Sequence, residues 1–247
     1  MPRATVVPRS LRAEHIWHAP AGAWAFDTWG DTGRPVLLLH ATQLDRASWW
    51  PVAAELASDH TVIAVDLPGH GLSAARTTYV ADAVAEELAA LLHQLGIRRA
   101  PIVVGHADAA ILGTLFAARF TTSAVVNVQQ DLRLQGQDRC PQPLVDGTGA
   151  NGIPSPYQHL LGGGDLEPAS HRPHWLSAAI SQRQVRMALE RVTVAYLNIF
   201  SELPAPGYPA WLAGLTPSAR CVEYGGGGEF PHLADLQRFV ADIRTLS

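Results

Sequence analysis

Two carboxylates, Asp108 and Glu229, are the side chains whose surroundings in the sequence suit them for chemistry, and the chemistry they offer is proton transfer. Asp108 follows Ile102-Val103-Val104-Gly105-His106-Ala107, a strand-like run that turns into a helix through small residues. In the pattern Gly-x-Ser-x-Gly such a corner presents a nucleophilic serine, which works only beside a base. Here the serine place holds Ala107, whose methyl group cannot attack a carbonyl. A carboxylate next to it opposes the oxyanion of ester hydrolysis at close range. Glu229 closes the run Gly225-Gly226-Gly227-Gly228 and precedes Phe230-Pro231-His232. Asp108 and Glu229 are therefore the candidate catalytic acid and base.

The residues expected to line a substrate beside them are His40, Ala41, Thr42, Trp50, Ala107, Asp131 and His232. Each also has a plainer role. Asp108 can cap the helix that starts at the corner, where negative charge is favoured by roughly 0.3–1 kcal/mol. Glu229 can be a solvated loop carboxylate, His40, His70 and His106 hydrogen-bonded supports, and His232 a packed ring. Trp49 and Trp50 anchor the first helix, with one reaching the pocket. Cys140 and Cys221 are far apart and lack paired CxxC spacing, so no metal site and no bridge is expected; they read as a loop thiol and a buried strand residue.

Strands alternating with helices must position these groups. Residues 21–29 read as an early antiparallel strand, and 35–39, 61–65, 102–104, 124–128, 192–199 and 220–224 as further strands, the wholly apolar ones buried on both faces. Helical spacing predicts helices over 46–57, 84–95, 175–191, 208–215 and 234–246, with Gly96 at a helix C-terminus. Parallel strands need crossovers, so the expected fold class is α/β: a mostly parallel twisted sheet with helices on both faces. Sites in such sheets lie at the carboxyl ends of the strands. This gathers His40-Ala41-Thr42, Ala107-Asp108, Asp131, Ser201-Glu202 and Gly228-Glu229 on one rim. Residues 131–191 are rich in Gly, Pro, Gln and Asp and include Gly162-Gly163-Gly164, which reads as a short irregular lid or cap inserted into one domain spanning 1–247.

Composition narrows the partners. The 247 residues carry 18 Lys and Arg against 22 Asp and Glu, without the basic field of a nucleic-acid binder. No apolar run approaches the roughly 20 residues of a membrane span, and the N-terminus lacks a signal-like apolar stretch. The expectation is a cytoplasmic protein with a small-molecule substrate, no nucleic acid and no membrane, its oligomeric state open.

Leu37-Leu38-Leu39-His40, Val65-Asp66-Leu67-Pro68-Gly69-His70-Gly71-Leu72-Ser73, Val104-Gly105-His106 and Glu229-Phe230-Pro231-His232-Leu233 stand in the order and spacing of landmarks of the α/β-hydrolase superfamily, which the chain resembles over nearly its whole length. The resemblance implies the α/β-hydrolase fold. It does not bring the Ser-His-Asp triad with it: the serine place is Ala107, the acid usually found after the strand ending at Ile199 falls near Pro204, and the histidine that commonly precedes Phe-Pro is Glu229. Asn198-Ile199-Phe200-Ser201 and Gly225 to Pro231 are also similar to the cofactor-free quinolone 2,4-dioxygenases, a non-hydrolytic branch in which a histidine base is helped by an aspartate after the strand matching 124–128. Glu229 stands at that histidine and Asp131 near that aspartate.

The resemblance and the missing triad point to a cofactor-free, non-hydrolytic enzyme that uses carboxylate acid/base chemistry, a cyclisation, dehydration, isomerisation or oxygenation, on a small, largely apolar and possibly aromatic metabolite. One alternative is an inactive hydrolase homologue that binds ligands or acts like a chaperone. Another is a hydrolase with relocated catalytic groups.

Overall fold

The computed structural model describes residues 12–42, 44–134, 154–160, 180–204 and 206–247. Eight strands form one sheet: β1 (Arg12–Ala19), β2 (Gly22–Trp29), β3 (Arg34–Leu39), β4 (His60–Val65), β5 (Ile102–His106), β6 (Ala124–Val128), β7 (Ala195–Phe200) and β8 (Ala219–Glu223). Their spatial order is β1-β2-β4-β3-β5-β6-β7-β8. β1 and β2 pair antiparallel, as do β2 and β4, and β3 through β8 run parallel. β1 has no counterpart in the expected strands: it is an edge strand whose residues are mostly exposed, so its sequence carries no apolar signal.

The inner strands alternate their side chains between two cores. Leu37 and Leu39 of β3, with Ile63 and Val65 of β4, join one cluster; Val36 and Leu38, with Val62 and Ala64, join the other. The first face is covered by α2 (Ala81–Gln94), α3 (Ala109–Ala117), α5 (Gln182–Leu189) and α6 (Tyr208–Leu215). The second is covered by α1 (Trp50–Leu56) and α8 (Leu236–Arg244), α1 being preceded by a 3-10 turn at Arg46–Trp49. Truncating a core leucine on either face to alanine costs about 2–5 kcal/mol. The other helices among the described residues are two single turns, α4 (Ser155–Gln158) and α7 (Pro231–Ala234). Of the segment expected as a lid, 135–153 and 161–179 lie outside the described residues, as does Cys140; Cys221 is half-buried on β8, where burial pushes its thiol up to about 11.

Two devices fix the loops at the carboxyl ends of the strands. Arg46 sits between two fully buried carboxylates: its Nε lies 3.1 Å from Asp27 Oδ1, its Nη1 pairs with Asp66, and its backbone N–H donates to Asp66 Oδ1 at 2.8 Å. Burial drives the Asp66 carboxyl above its ordinary value, against the pull of Arg46. On the other side of the sheet Asn127 and Asn198 stand side by side on β6 and β7, and the Asn127 amide donates to Asn198 Oδ1 at 2.8 Å. Tyr208, the backbone of Gln130 and the Arg220 carbonyl bond the other polar atoms of that buried pair.

Candidate functional site

The corner between β5 and α3 is built on close backbone approach. A Cβ on Gly105 would lie 2.5 Å from the Ala109 carbonyl oxygen and from Ala110 Cα, so only glycine lets α3 start directly above the strand end. Ala107 follows with φ +49°, in the left-handed region, which costs a residue with a Cβ about 1–2 kcal/mol. Its N–H is tied to the Val128 carbonyl at 2.8 Å, and its own carbonyl accepts from Ala110. The sharp elbow that displays a nucleophile is therefore intact, with a half-exposed methyl group in the nucleophile's place.

Asp108 turns away from its own helix. As N-cap of α3 it makes no side-chain capping bond, so the capping role is not the one it plays. Its carboxylate reaches across to the loop after β3, where Oδ1 accepts the Thr42 backbone N–H at 3.1 Å and Oδ2 accepts the Thr42 hydroxyl. In Gly-x-Ser-x-Gly enzymes the residue after the nucleophile and the loop after β3 each lend an N–H to the oxyanion. Here the loop's donor is spent on a carboxylate. Thr42 and Asp108 are both buried.

The backbone of Glu229 is tied to the last residue of β5. The four glycines before it all have positive φ, 71°, 120°, 85° and 51°, a conformation that residues with a Cβ rarely adopt. Two side chains pin the loop's carbonyls: Ser201 Oγ donates to Gly228 O, and His106 Nε2 donates to Glu229 O at 2.7 Å. The Glu229 carboxyl is half-buried, and burial raises its pKa above the ordinary 4.5.

Beneath the elbow lies a stack of rings. His106 and His232 meet edge to face at 4.8 Å between centroids, and His232 packs on Trp49 at 4.6 Å. Because His106 Nε2 is the donor to Glu229, its Nδ1 carries no proton, and burial lowers its pKa to about 4. His232 is fully buried, neither ring nitrogen has a hydrogen-bond partner among the described residues, and burial holds its pKa well below 6.5. The ring is packed among Trp49, His106 and Phe239.

Three more of the expected residues are bonded within the protein. Trp50 lies away from the elbow: its indole N–H donates to Asp27 at 2.9 Å and Arg12 stacks 4.0 Å over its ring, so Trp49, and not Trp50, is the tryptophan that reaches beneath the site. Asp131 is held by Arg133, through Nε at 3.1 Å and Nη2 at 2.5 Å, and is a loop-closing ion pair. His40 spends Nδ1 on the Ala41 carbonyl at 2.8 Å and accepts the Leu67 N–H on Nε2 at 2.9 Å, tying the loop after β3 to the loop after β4.

Ala41, Leu44, Phe230 and Leu233 form a small buried cluster against which Ala107 and Tyr157 pack. Tyr157 of α4 was not legible as a site residue, because it is one aromatic in a stretch without period; the Pro154-Ser155-Pro156 sequence before it is the only local signal of a helix start. Burial, and then Glu55, push its phenol above the ordinary value. A small apolar cluster thus packs beside the elbow, with Asp108 bonded to the loop after β3 and Glu229 on the loop that precedes Phe230. Among the described residues no three His, Cys, Asp or Glu side chains are grouped to hold a metal ion, and no helix is long and apolar enough to cross a membrane.

Residues 36–243 match the model of the Alpha/beta hydrolase family. Solved structures share the fold over nearly full length. The thioesterase domain from the curacin biosynthetic pathway is 17% identical with a TM-score of 0.76, covering 95% of this chain and 99% of that one. Cfl2 from Burkholderia cenocepacia is 16% identical with a TM-score of 0.76, covering 96% and 97%. E-2-(acetamidomethylene)succinate hydrolase is 20% identical with a TM-score of 0.71, covering 95% and 98%. A stretch of 82 residues is 39% identical to the dihydrolipoyllysine-residue acetyltransferase component of the acetoin cleaving system of Pseudomonas putida; it spans 33% of this chain and 22% of that protein's length.

Proposed function

For a chain that belongs to the alpha/beta hydrolase family, we propose a cofactor-free, non-hydrolytic enzyme in which Asp108 and Glu229 act as base and acid on a small, largely apolar metabolite. The observation that carries this reading is the bonding of Asp108: its carboxylate takes the Thr42 N–H and hydroxyl, in the place where a hydrolase stabilises an oxyanion. On this reading Asp108 is the proton acceptor, held in a fixed orientation by the two bonds from Thr42. Glu229 stands in the opposite environment, half-buried, where burial favours the protonated form and hence a proton donor. Two carboxyls with different surroundings divide the roles of acid and base. Isomerisation, dehydration and cyclisation each need one proton removed and one supplied, and no nucleophile.

A relocated hydrolase centre gains no support from the histidines. His106 and His232 are both fully buried, burial lowers the pKa of each, and His106 Nε2 is bonded to the Glu229 carbonyl.

The pH profile of turnover tests the proposal. With Glu229 as the acid, kcat falls as pH rises through a pKa above 4.5, and Glu229→Gln abolishes that limb. A limb that persists in Glu229→Gln, or a flat profile from pH 4 to 8 with chemistry rate-limiting, contradicts it.

A further inference from the structure

We infer that β1 pairs with the β1 of a second copy of this chain, antiparallel about Ile16, so that the sheet continues across a two-fold axis. The inference goes beyond the acid/base reading and does not depend on it.

β1 ends the sheet: it pairs with β2 on one side and with no other strand among the described residues. An edge strand turns a row of N–H and C=O groups outward, and proteins guard such rows with proline, bulges, very short strands or exposed charge. β1 has few of these guards. It contains no proline or lysine, and it pairs with β2 through eight consecutive residues without a bulge. It is longer than β8, the five-residue strand at the other edge. Arg12 is taken up by Glu14 and by the Trp50 ring. Ile16, in the middle of the strand, is 51% exposed.

The sequence of the strand selects the partner. A two-fold axis between antiparallel edges keeps each side chain on its own face of the sheet, so β1 must meet its copy about a single residue. The longest overlaps are centred on His15 or on Ile16. About His15, Arg12 faces His18 of the second copy and Glu14 faces Ile16, which sets two basic groups together and a carboxylate against an apolar side chain. About Ile16, Ile16 packs on itself, Glu14 faces His18, His15 faces Trp17 and Ala13 faces Ala19. Glu14, Ile16 and His18 lie on one face of the strand and all three are exposed. An imidazole donates an N–H to a carboxylate whether it is neutral or charged. Apolar and oppositely charged pairs directly across a ladder stabilise it, and like charges there destabilise it. Glu14-x-Ile16-x-His18 is thus answered by its own reversed copy. Two strand edges alone bury less than about 1,200 Å², the small end of interfaces, so a weak, micromolar dimer is expected.

Sedimentation equilibrium of the full-length protein reads the association. Wild type should dimerise with a micromolar dissociation constant. His18→Glu sets carboxylates opposite each other at both ends of the contact and should weaken it about 10-fold or more. The exchanged pair, Glu14→His with His18→Glu, should return it to within about 3-fold of wild type. Dibromobimane, which joins thiols only when they are close, reads the register. Ile16→Cys lies opposite itself and should be linked above the background of the two native cysteines, whereas Ala13→Cys lies about 20 Å from its copy and should not. The substituted side chains are exposed, and thermal melting confirms that each variant is folded. A wild type that stays monomeric at millimolar concentration overturns the inference. So does a dimer that His18→Glu leaves unchanged, an exchanged pair that fails to restore association, or cross-linking at Ala13 equal to that at Ile16.

Discussion

Asp108 and Thr42, 66 residues apart, are joined by two hydrogen bonds, one from the Thr42 backbone N–H at 3.1 Å and one from its hydroxyl. This pair joins α3 to the loop after β3 across the mouth of the elbow. It also removes a donor that ester hydrolysis in this fold depends on, so the structural bond and the chemical consequence are the same contact.

The pair makes a measurable coupling. Thr42→Val keeps the N–H and the shape but deletes the hydroxyl, and a hydrogen bond to a charged group is worth about 1.5–3 kcal/mol. Urea unfolding of Thr42→Val should show a loss of about that size, Thr42→Ser should remain near wild type, and a double-mutant cycle with Asp108→Asn should give a coupling of about 1 kcal/mol or more. Strict additivity would mean that the two side chains do not interact.

The elbow itself should remain silent toward esters. Ala107→Ser restores an oxygen without a base, and a lone hydroxyl is a weak nucleophile. No hydrolysis of p-nitrophenyl acetate above the wild-type background is expected from that variant. Adding Glu229→His supplies an imidazole but leaves Asp108 in the oxyanion position; replacing Asp108 by alanine as well should then raise the rate by about 10²-fold, the scale of one oxyanion donor regained. Robust hydrolysis by Ala107→Ser alone would return the protein to hydrolase chemistry.

His106 and His232 give stability a pH dependence of known sign. Both have pKa values lowered by burial, so the unfolded chain binds protons that the folded chain refuses, and stability is lost as pH falls from about 6.5 toward 4. For His106 the shift from 6.5 to about 4 amounts to roughly 3 kcal/mol at the acid end. His232→Phe removes one of the two groups and two unpaired buried nitrogens while keeping a ring against Trp49. It should stabilise the protein at pH 5 by about 1–3 kcal/mol, with a smaller gain at pH 8, in urea melts at the two values. Equal effects at both pH values would show that His232 is not neutral and buried.

The sheet was legible because its inner strands are short apolar runs: 124–128 is the strand Ala124–Val128, and 208–215 is the helix Tyr208–Leu215. β1 was not, since an edge strand with exposed faces has no pattern to read. The elbow was legible in Gly105 and the small residues around it. What Asp108 does there was not, because the alternatives of capping its helix and reaching Thr42 differ only in a side-chain direction that residue type does not specify. Trp49 and Trp50 illustrate the same limit: adjacent residues at a 3-10 to α junction point to opposite places, one beneath the site and one toward Arg12 and Asp27.

The measurement closest to the central claim is consumption of the native substrate by wild type, Asp108→Asn and Glu229→Gln, followed as the depletion of individual compounds from a small-molecule extract, with each variant's fold checked by thermal melting. General acid/base catalysis contributes about 10²–10⁴ in rate, so each folded variant should lose at least 100-fold while wild type depletes its compound. Folded variants that retain the wild-type rate, or a wild-type protein that depletes nothing, would contradict the account.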